Sequence, residues 1–269
     1  AAIGLSGQTL FHKPKGKYPF SIQAGDPKIV ANKCEIDVVS DFRNDHIKFG
    51  GEGAPLVPEF HQKIFSKKNV PLVVLNIGGI SNFTYLNGRE NFYGSDCGPG
   101  NALMDIFCQK FLDRPFDKNG EHAKSGKVHI PSLNKMLSHP FFKRRHPKST
   151  GKEIFNIEFI PKQLLKKSSN DILATLTELT AISIAKSLLS LKKSPYQVIA
   201  CGGGVKNSFL MSAIEKHTKL SVTSTSEYGF NPQAIEAMAF GWMARQRIFN
   251  NPLIVKKNKG LLGTITKSR

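Results

Sequence analysis

Short apolar runs that end in glycine-rich turns constrain the fold of this chain more than any other feature. Residues 71–77 and 197–201 are rich in β-branched side chains, and glycines follow each run directly. Runs of this kind are typical of buried strands. Helical patterns lie between them, and the clearest repeats apolar residues every three or four positions over 172–191. Strands that alternate with helices predict an α/β architecture.

Two other segments complete this organisation. A second helix is predicted around residues 234–243, after the pair Asn231 and Pro232, which is favourable chemistry for a helix N-terminus. Between residues 118 and 152 the periodicity weakens, which predicts a surface excursion with short helices. Phe141 and Phe142 are predicted to anchor this excursion by packing rather than to stack on bases.

The net charge suggests several classes of binding partner but does not distinguish between them. The 269 residues include 38 Lys and Arg against 20 Asp and Glu, a formal net charge of +18. Such a charge suits nucleic acid, an anionic membrane surface or anionic small molecules. The basic residues are dispersed in small clusters, which favours a solvated basic surface over one binding groove. We therefore expect no nucleic-acid or membrane partner, with a nucleic-acid-binding protein kept as an alternative.

The cysteines and the apolar runs indicate the compartment. Cys34, Cys97, Cys108 and Cys201 show no CxxC spacing, so neither a zinc site nor a disulfide framework is predicted. No apolar run reaches the roughly 18 residues that span a bilayer, and no signal-peptide pattern is found. These features predict a cytoplasmic protein with reduced thiols. The apolar start at residues 1–5, without an initiator Met, predicts an upstream segment that this sequence lacks.

Three glycine-rich segments are candidates for nucleotide binding, since backbone amides in such turns approach phosphate closely. They are residues 76–82, 96–101 and 201–207. A single such turn often has no function beyond reversing the chain, but three after apolar strands favour phosphate binding. None matches a Walker A or dinucleotide motif. The sequence therefore predicts a nucleotide held by a different phosphate-binding fold, and the histidine spacing predicts no transition-metal site.

Three polar residues are candidates for chemistry or substrate binding. Asp96 lies between a strand-like segment and a Gly-Pro-Gly turn, where a carboxylate can accept a proton from a hydroxyl or water. The alternative is a helix N-cap or an Asx turn. Arg43, before the glycine-rich loop 50–55, either binds a carboxylate in bidentate fashion or forms a surface salt bridge. Glu236 is predicted to point toward a cleft or toward a helix end. The alternative is a glutamate on the solvent-exposed face of its helix.

Taken together, these segments resemble the anhydro-N-acetylmuramic acid kinase family of the sugar kinase, actin and Hsp70 superfamily. The matching segments follow the family's order along nearly the whole chain: 7–9, 22–26, 40–43, 50–58, 76–82, 96–104, 148–151, 201–207 and 236–240. The resemblance implies a two-lobed, actin-like α/β ATPase fold. It divides the chain into the remainder of the N-terminal lobe (1–40), the C-terminal lobe (41–257) and a tail that returns to the first lobe (258–269). A homodimer is one implied assembly.

The resemblance also implies the reaction. Water opens the 1,6-anhydro bridge of anhydro-N-acetylmuramic acid, and the freed O6 takes the γ-phosphate of ATP, giving N-acetylmuramic acid 6-phosphate and ADP in cell-wall recycling. Asp96 matches the family's general base. The implied sugar-binding residues are Gln8, Asp41, Arg43 and Glu236. The implied nucleotide-binding residues are Asn76, Gly78, Gly79, Gly202, Gly203, Gly204 and Asn207, with Mg²⁺ carried by the nucleotide and no protein metal cage.

The chain also departs from the family's pattern. The family's first phosphate loop, which is rich in Gly, Ser and Thr, has no counterpart in this sequence, so an incomplete N-terminal lobe is predicted. Ser6 replaces a usual His, and Cys97 replaces a usual Thr. The alternative to an active kinase is therefore a catalytically impaired fragment or remnant that binds sugar or a partner protein.

Overall fold

The computed structural model describes residues 1–66, 70–88, 91–256 and 258–268. Its strands are β1 (Ala2–Gly4), β2 (Gln8–Lys13), β3 (Phe20–Ala24), β4 (Asp37–Ser40), β5 (Leu72–Ile77), β6 (Ile80–Leu86), β7 (Phe92–Pro99), β8 (Gln197–Cys201), β9 (Val222–Ser224), β10 (Leu253–Val255), β11 (Asn258–Gly260) and β12 (Thr264–Thr266). Its helices are α1 (Pro27–Cys34), α2 (Phe42–Lys48), α3 (Pro58–Phe65), α4 (Ala102–Phe111), α5 (Glu121–Lys124), α6 (Ile130–Leu137), α7 (Pro140–Lys143), α8 (Ser169–Leu189), α9 (Ser208–Thr218) and α10 (Ile235–Ile248). The predicted α/β class is confirmed.

The chain divides into two compact units. The first combines Ala1–Phe65 with Ala234–Arg269, and the second is the continuous segment Ser66–Gln233. Each unit has its own sheet and its own hydrophobic core. These bounds differ from the lobe boundaries that the resemblance implies, at 40/41 and 257/258, and those boundaries stay a prediction.

The first unit is built on a three-stranded sheet in the order β1-β4-β12. β1 runs parallel to β4 and β12 antiparallel to it, while β2-β3 and β10-β11 form separate antiparallel pairs. Buried Val39, Phe42, Phe240 and Met243 belong to its core. A Cβ on Gly4 would overlap the carbonyl oxygen of Phe240, so β1 approaches α10 as closely as it does only because residue 4 has no side chain.

The second unit contains a five-stranded mixed sheet in the order β7-β6-β5-β8-β9. β7, β6 and β5 are antiparallel to one another, whereas β5, β8 and β9 run parallel. The apolar runs 71–77 and 197–201 cover β5 and β8, which confirms both predicted strands. Since β5 and β8 are parallel neighbours, the glycine turns after them lie at the same edge of the sheet. In open α/β sheets this edge is where ligands bind.

Helix α8 forms the centre of the core of the second unit and confirms the helix predicted over 172–191. By length and composition alone it could cross a membrane, with a mean hydropathy of 1.5, but 78% of that apolar window is buried inside the protein. No continuous apolar run marks this window in the sequence, because hydroxyl residues such as Thr175, Thr177 and Thr180 interrupt its apolar side chains. Their burial shows that the helix packs on nearly every side.

The remaining helix predictions hold in outline. Residues 118–152 contain the short helices α5, α6 and α7, and Phe141 is fully buried, as predicted for a packing anchor. Helix α10 begins later than predicted, at Ile235. Asn231 does not cap it, because its Oδ1 instead accepts a hydrogen bond from Gln233 N at 3.0 Å. All four cysteines are thiols rather than disulfides.

Candidate active site

Asp96 lies within β7, the edge strand of the five-stranded sheet, and it is half-buried. Its Oδ2 accepts a hydrogen bond from Thr150 N at 2.8 Å, and its own N donates to Lys148 O at 2.9 Å. The N-cap alternative is wrong, because β7 continues to Pro99 and the N-cap position of α4 belongs to Asn101. The carboxylate is therefore held by a segment more than 50 residues away in the sequence.

The surroundings of Asp96 move its titration toward neutral pH. Burial raises the pKa of Asp96 to about 6. The hydrogen bond from Thr150 and the positive charge of Lys148 oppose this rise, and the negative charge of Glu153 adds to it. A carboxylate with such a pKa is mostly ionised at pH 7 and still basic enough to take a proton from water.

Strand register places Asp96 in a polar row that crosses the sheet. Asp96 in β7 pairs with Asn82 in β6, Asn82 pairs with Asn76 in β5, and Asn76 pairs with Cys201 in β8. Paired residues of neighbouring strands point to the same face, and neighbouring strands lie about 4.8 Å apart. Cys201 Sγ lies 3.9 Å from Asn76 Oδ1. The row brings together Asp96 and Asn76, which were both predicted as site residues. It also contains Asn82, which was not predicted.

The turn between β5 and β6 is fixed by the N-terminal end of α4. Gly100 N donates to Gly79 O at 2.8 Å, and Asn101 N donates to Gly78 O at 2.8 Å. A Cβ on Gly100 would overlap Gly78 O, which shows how closely the backbone before α4 packs against the turn between β5 and β6. A Cβ on Gly79 would have no neighbour closer than 3.6 Å in the part of the chain that the structure describes. A side chain at Gly79 would make only ordinary van der Waals contacts, so this glycine is packed less tightly than Gly100.

The turn after β8 is packed at its first and third glycines and open at its second. Gly202 has a φ of +86°, and a Cβ there would overlap Asn76 Oδ1 and lie 2.7 Å from Ile77 O. A Cβ on Gly204 would overlap the side chain of Ile77. Around Gly203, by contrast, no atom of the described residues would lie within 4 Å of a Cβ. This turn thus exposes its backbone at Gly203.

The side chain of Asn207 caps a helix. Its Oδ1 accepts a hydrogen bond from Leu210 N at 3.0 Å and so caps helix α9. Its N donates to Gly204 O at 3.0 Å, which ties the helix start to the glycine turn. A nucleotide contact from Asn207 stays a prediction.

Asp105 and Lys152 lie beside the first glycine turn and were missed by the sequence analysis. Burial raises the pKa of Asp105, in the first turn of α4, to about 6, and the charge of Lys152 opposes that rise. The Cε atom of Lys152 lies 3.6 Å from the position of a Cβ on Gly79. No local pattern marks these two residues, because they approach the turn from different segments.

The first unit has a cavity of about 330 Å³. Its lining includes Gly7, Gln23 and Asp41, and Asp41 is one of the predicted sugar-binding residues. Asp41 precedes α2 with a left-handed φ of 59°, and its Oδ1 accepts a hydrogen bond from Asn44 Nδ2 at 2.6 Å. Asn44 also exchanges two hydrogen bonds of 2.9 Å with the backbone of Ser21. The part of the cavity lined by Asp41, Asn44 and Ser21 is therefore polar, and hydrogen bonds fix its side chains.

Arg43 lies in helix α2 rather than in a loop. Its Nη1 donates to Gly53 O at 2.9 Å, while its buried Nε has no hydrogen-bond partner among the described residues. Burial lowers the pKa of Arg43, and the charge of Glu236 opposes that shift. In the described part of the chain Arg43 forms no ion pair within 4.0 Å, so the salt-bridge alternative has no support there. A buried guanidinium N–H without a partner suits an anionic ligand.

His46 supports the loop that Arg43 contacts, and the sequence analysis did not select it. Its Nδ1 accepts a hydrogen bond from Gly53 N at 2.9 Å, and a Cβ on Gly51 would overlap its ring. Burial lowers the pKa of His46 to about 4, with the charges of Lys256 and Arg43 adding to the effect. His46 is therefore neutral at pH 7 and can keep this acceptor role.

Glu236 and Gln8 are exposed. Glu236 lies in the first turn of α10, close enough to Arg43 to act on its pKa. Gln8 begins β2 and pairs with Ala24. Their sugar-binding roles stay predictions.

Comparison with known proteins defines the class of enzyme. A family model described as anhydro-N-acetylmuramic acid kinase matches residues 1–266. Curated proteins of that name include one from Gamma-proteobacterium EBAC31A08, 48% identical over 99% of this chain and 74% of the relative. Another, from Pasteurella multocida, is 45% identical over 93% of this chain and 68% of the relative. The chain is thus a kinase.

It belongs to the anhydro-N-acetylmuramic acid kinase family, as its motifs predicted. Among solved structures, the chain is similar to the activator of the 2-hydroxyisocaproyl-CoA dehydratase from Clostridium difficile, with bound ADPNP. That similarity has a TM-score of 0.42 and 13% identity, and it covers 81% of this chain and 71% of the activator.

Proposed function

We propose that this kinase opens the 1,6-anhydro bridge of anhydro-N-acetylmuramic acid with water and phosphorylates the freed O6 with ATP. The products are N-acetylmuramic acid 6-phosphate and ADP, in cell-wall recycling. The observation that supports this best is Asp96, a half-buried carboxylate with a pKa of about 6 in a polar row beside two glycine turns. The names of the relatives support the choice of sugar.

Asp96 is assigned as the general base. It accepts a proton from water while the water oxygen bonds to the anomeric carbon, and the bond from that carbon to O6 breaks. O6 keeps the electron pair and attacks the γ-phosphorus, and ADP leaves with the bridging oxygen. Asp96 then releases its proton to solvent. Holding O6 near the phosphorus makes the second step effectively unimolecular.

ATP is assigned to the glycine turns after β5 and β8. The open backbone at Gly203 and the loosely packed Gly79 support this. Asn76 lies between the turns, and Gly78, Gly202, Gly204 and Asn207 complete them. The described residues contain no group of three or more His, Cys, Asp or Glu that could hold a metal. Mg²⁺ held by phosphate oxygens and water fits this donor set, since it keeps several waters. Bound in that way, Mg²⁺ neutralises phosphate charge.

The residues that we propose for binding the substituents of the sugar belong to the first unit. Arg43 binds the lactyl carboxylate, and Asp41, Glu236 and Gln8 bind other polar groups of the sugar. A cytoplasmic location, a homodimer and the lack of nucleic-acid or membrane partners stay predictions.

Replacing Arg43 with Lys is expected to raise the KM for the anhydro sugar by about 10- to 100-fold and to change kcat by less than about 3-fold. Lys keeps the charge but loses the planar fork that binds a carboxylate with two hydrogen bonds. Steady-state ADP release at varied sugar concentration measures both constants. The matched control is Arg245→Lys, at an exposed position of α10, which should change neither. A fall in kcat at unchanged KM would contradict the assignment.

The raised pKa of Asp96 predicts an acid limit to turnover. Because the base must be ionised, kcat should fall about tenfold per pH unit below a pH of about 6. An aspartate at the ordinary value of 3.8 would keep the rate constant down to about pH 4. The measurement is kcat from pH 4.5 to 8 at saturating substrates, with thermal unfolding followed at each pH. A profile that bends only near pH 4 would refute the assignment.

Sugar-dependent ADP release tests the function itself. The protein is incubated with MgATP, with and without 1,6-anhydro-N-acetylmuramic acid, and the sugar product is analysed for a phosphate at O6. Release that requires the sugar supports the proposal. Calorimetric binding of the sugar with no nucleotide binding would instead support the impaired, binding-only alternative.

A further inference from the structure

A second cavity lies in the second unit, and one of its lining residues, Lys148, accepts a backbone hydrogen bond from the assigned base Asp96. Its volume is about 490 Å³, and its walls come from β7, the segment 142–148, helix α8 and Lys192. Six of the lining residues are basic: Lys143, Arg144, Arg145, Lys148, Lys186 and Lys192. Its lining contains no Asp or Glu in the part of the chain that the structure describes. Neither Asp96 nor the glycines of the two turns line it.

The positive charges around this cavity are largely uncompensated by the described residues, although the carboxylate of Asp96 acts on one of them, Lys148. Within the described residues, none of the six basic side chains forms an ion pair within 4.0 Å. Lys148 is half-buried and donates to Phe141 O at 3.3 Å, a neutral acceptor. Burial lowers the pKa of Lys148, and the neighbouring charge of Arg144 acts in the same direction, whereas Cys97 and Asp96 oppose the shift. Like charges gathered in a concave site attract a counter-anion.

The shape and chemistry of the cavity indicate a small ligand. Its volume falls within the range of about 300–1,000 Å³ that is usual for small-molecule sites. Arg144 and Arg145 offer planar forks that match phosphate oxygens, and the lysines add point charges. Tyr93 and Phe142 supply aromatic wall for the uncharged part of a ligand. A nucleic-acid strand would instead need an open groove with charges along its length.

We propose that this cavity binds a small organic phosphate ester with at least two negative charges, at a site that neither Asp96 nor the two glycine turns line. The six basic side chains bind the phosphate groups, and Tyr93 and Phe142 contact the organic part. The inference does not depend on the proposed reaction, because binding can be measured without turnover.

Calorimetry with fructose 1,6-bisphosphate tests the site. The protein is first saturated with Mg²⁺ and a non-hydrolysable ATP analogue, so that the assigned nucleotide site is filled. Wild type should bind one bisphosphate, and Lys186→Glu with Lys192→Glu should weaken binding by about 30-fold or more. Both lysines are exposed, so the double variant should fold, and Lys186→Gln with Lys192→Gln provides a milder variant with a smaller loss.

The matched control is Lys162→Glu with Lys166→Glu, which makes the same change of net charge at exposed positions outside the cavity. It should change the dissociation constant by less than about 3-fold, because screened distant charges act weakly. Equal weakening by the two double variants would overturn the proposal, as would absence of binding to wild type. Inorganic phosphate that binds as tightly as the bisphosphate, or a single-stranded oligonucleotide that displaces it, would also overturn it.

Discussion

Replacing Asp96 with Asn is expected to lower sugar-dependent turnover of ATP by about 1,000-fold while binding of sugar and nucleotide changes little. The amide has nearly the shape of the carboxylate and keeps an oxygen that can accept the hydrogen bond from Thr150 N. It has no basic group, so it cannot take the proton of the attacking water. ADP release measures turnover, and calorimetry measures binding of each substrate.

The matched control for this variant is Asp113→Asn. Asp113 is exposed and has a φ of 51°, a conformation that Asn adopts readily, so turnover and stability should stay at the wild-type level. Thermal unfolding of the Asp96 variant should also match wild type to within a few degrees. Turnover of the Asp96 variant within tenfold of wild type would exclude a general-base role.

Replacing Gly202 with Ala is expected to lower the free energy of unfolding by roughly 3 kcal/mol, since two unfavourable effects combine. The φ of +86° disfavours any side chain, and the new Cβ would overlap Asn76 Oδ1 and lie 2.7 Å from Ile77 O. Relief requires movement of β5 or of the turn itself. Urea unfolding followed by circular dichroism measures the change.

Gly203→Ala separates packing from ligand binding at the adjacent position. Within the described residues its Cβ would have no neighbour within 4 Å, so stability should change by less than about 0.5 kcal/mol. The same Cβ would occupy the space through which we propose ATP approaches, so the KM for ATP should rise. If both alanine variants lose equal stability, the distinction between packed and open glycines is wrong.

Much of the second unit was predictable, because its signals are local. The strands β5 and β8 are marked by short β-branched runs before glycines, and α8 by apolar spacing that extends over five turns. Each of these signals needs only the chemistry of neighbouring positions. The predicted position of Asp96, between a strand and a Gly-Pro-Gly turn, was wrong, because β7 continues through Asp96 to Pro99.

What could not be predicted depends on contacts between distant segments. The row from Asp96 through Asn82 to Asn76 exists only once three strands adopt their register, and a single strand does not contain that information. The partner of the Asp96 carboxylate comes from a segment with weak periodicity. The first unit is assembled from both ends of the chain, because β12 pairs with β4. The unpartnered Nε of Arg43 became visible only when burial was known.

The hydrogen bond to Asp96 has an evolutionary consequence, because its donor is the main chain of residue 150 and not a side chain. Every amino acid except proline supplies that N–H group. The hydroxyl of Thr150 is buried without a hydrogen-bond partner in the described part of the chain, so it adds nothing to this contact. Drift in residue identity would therefore leave the base aligned, whereas a one-residue insertion or deletion between the buried anchor Phe141 and Thr150 would misplace the donor. The alignment of the base therefore depends on the length of this segment and not on the identity of residue 150.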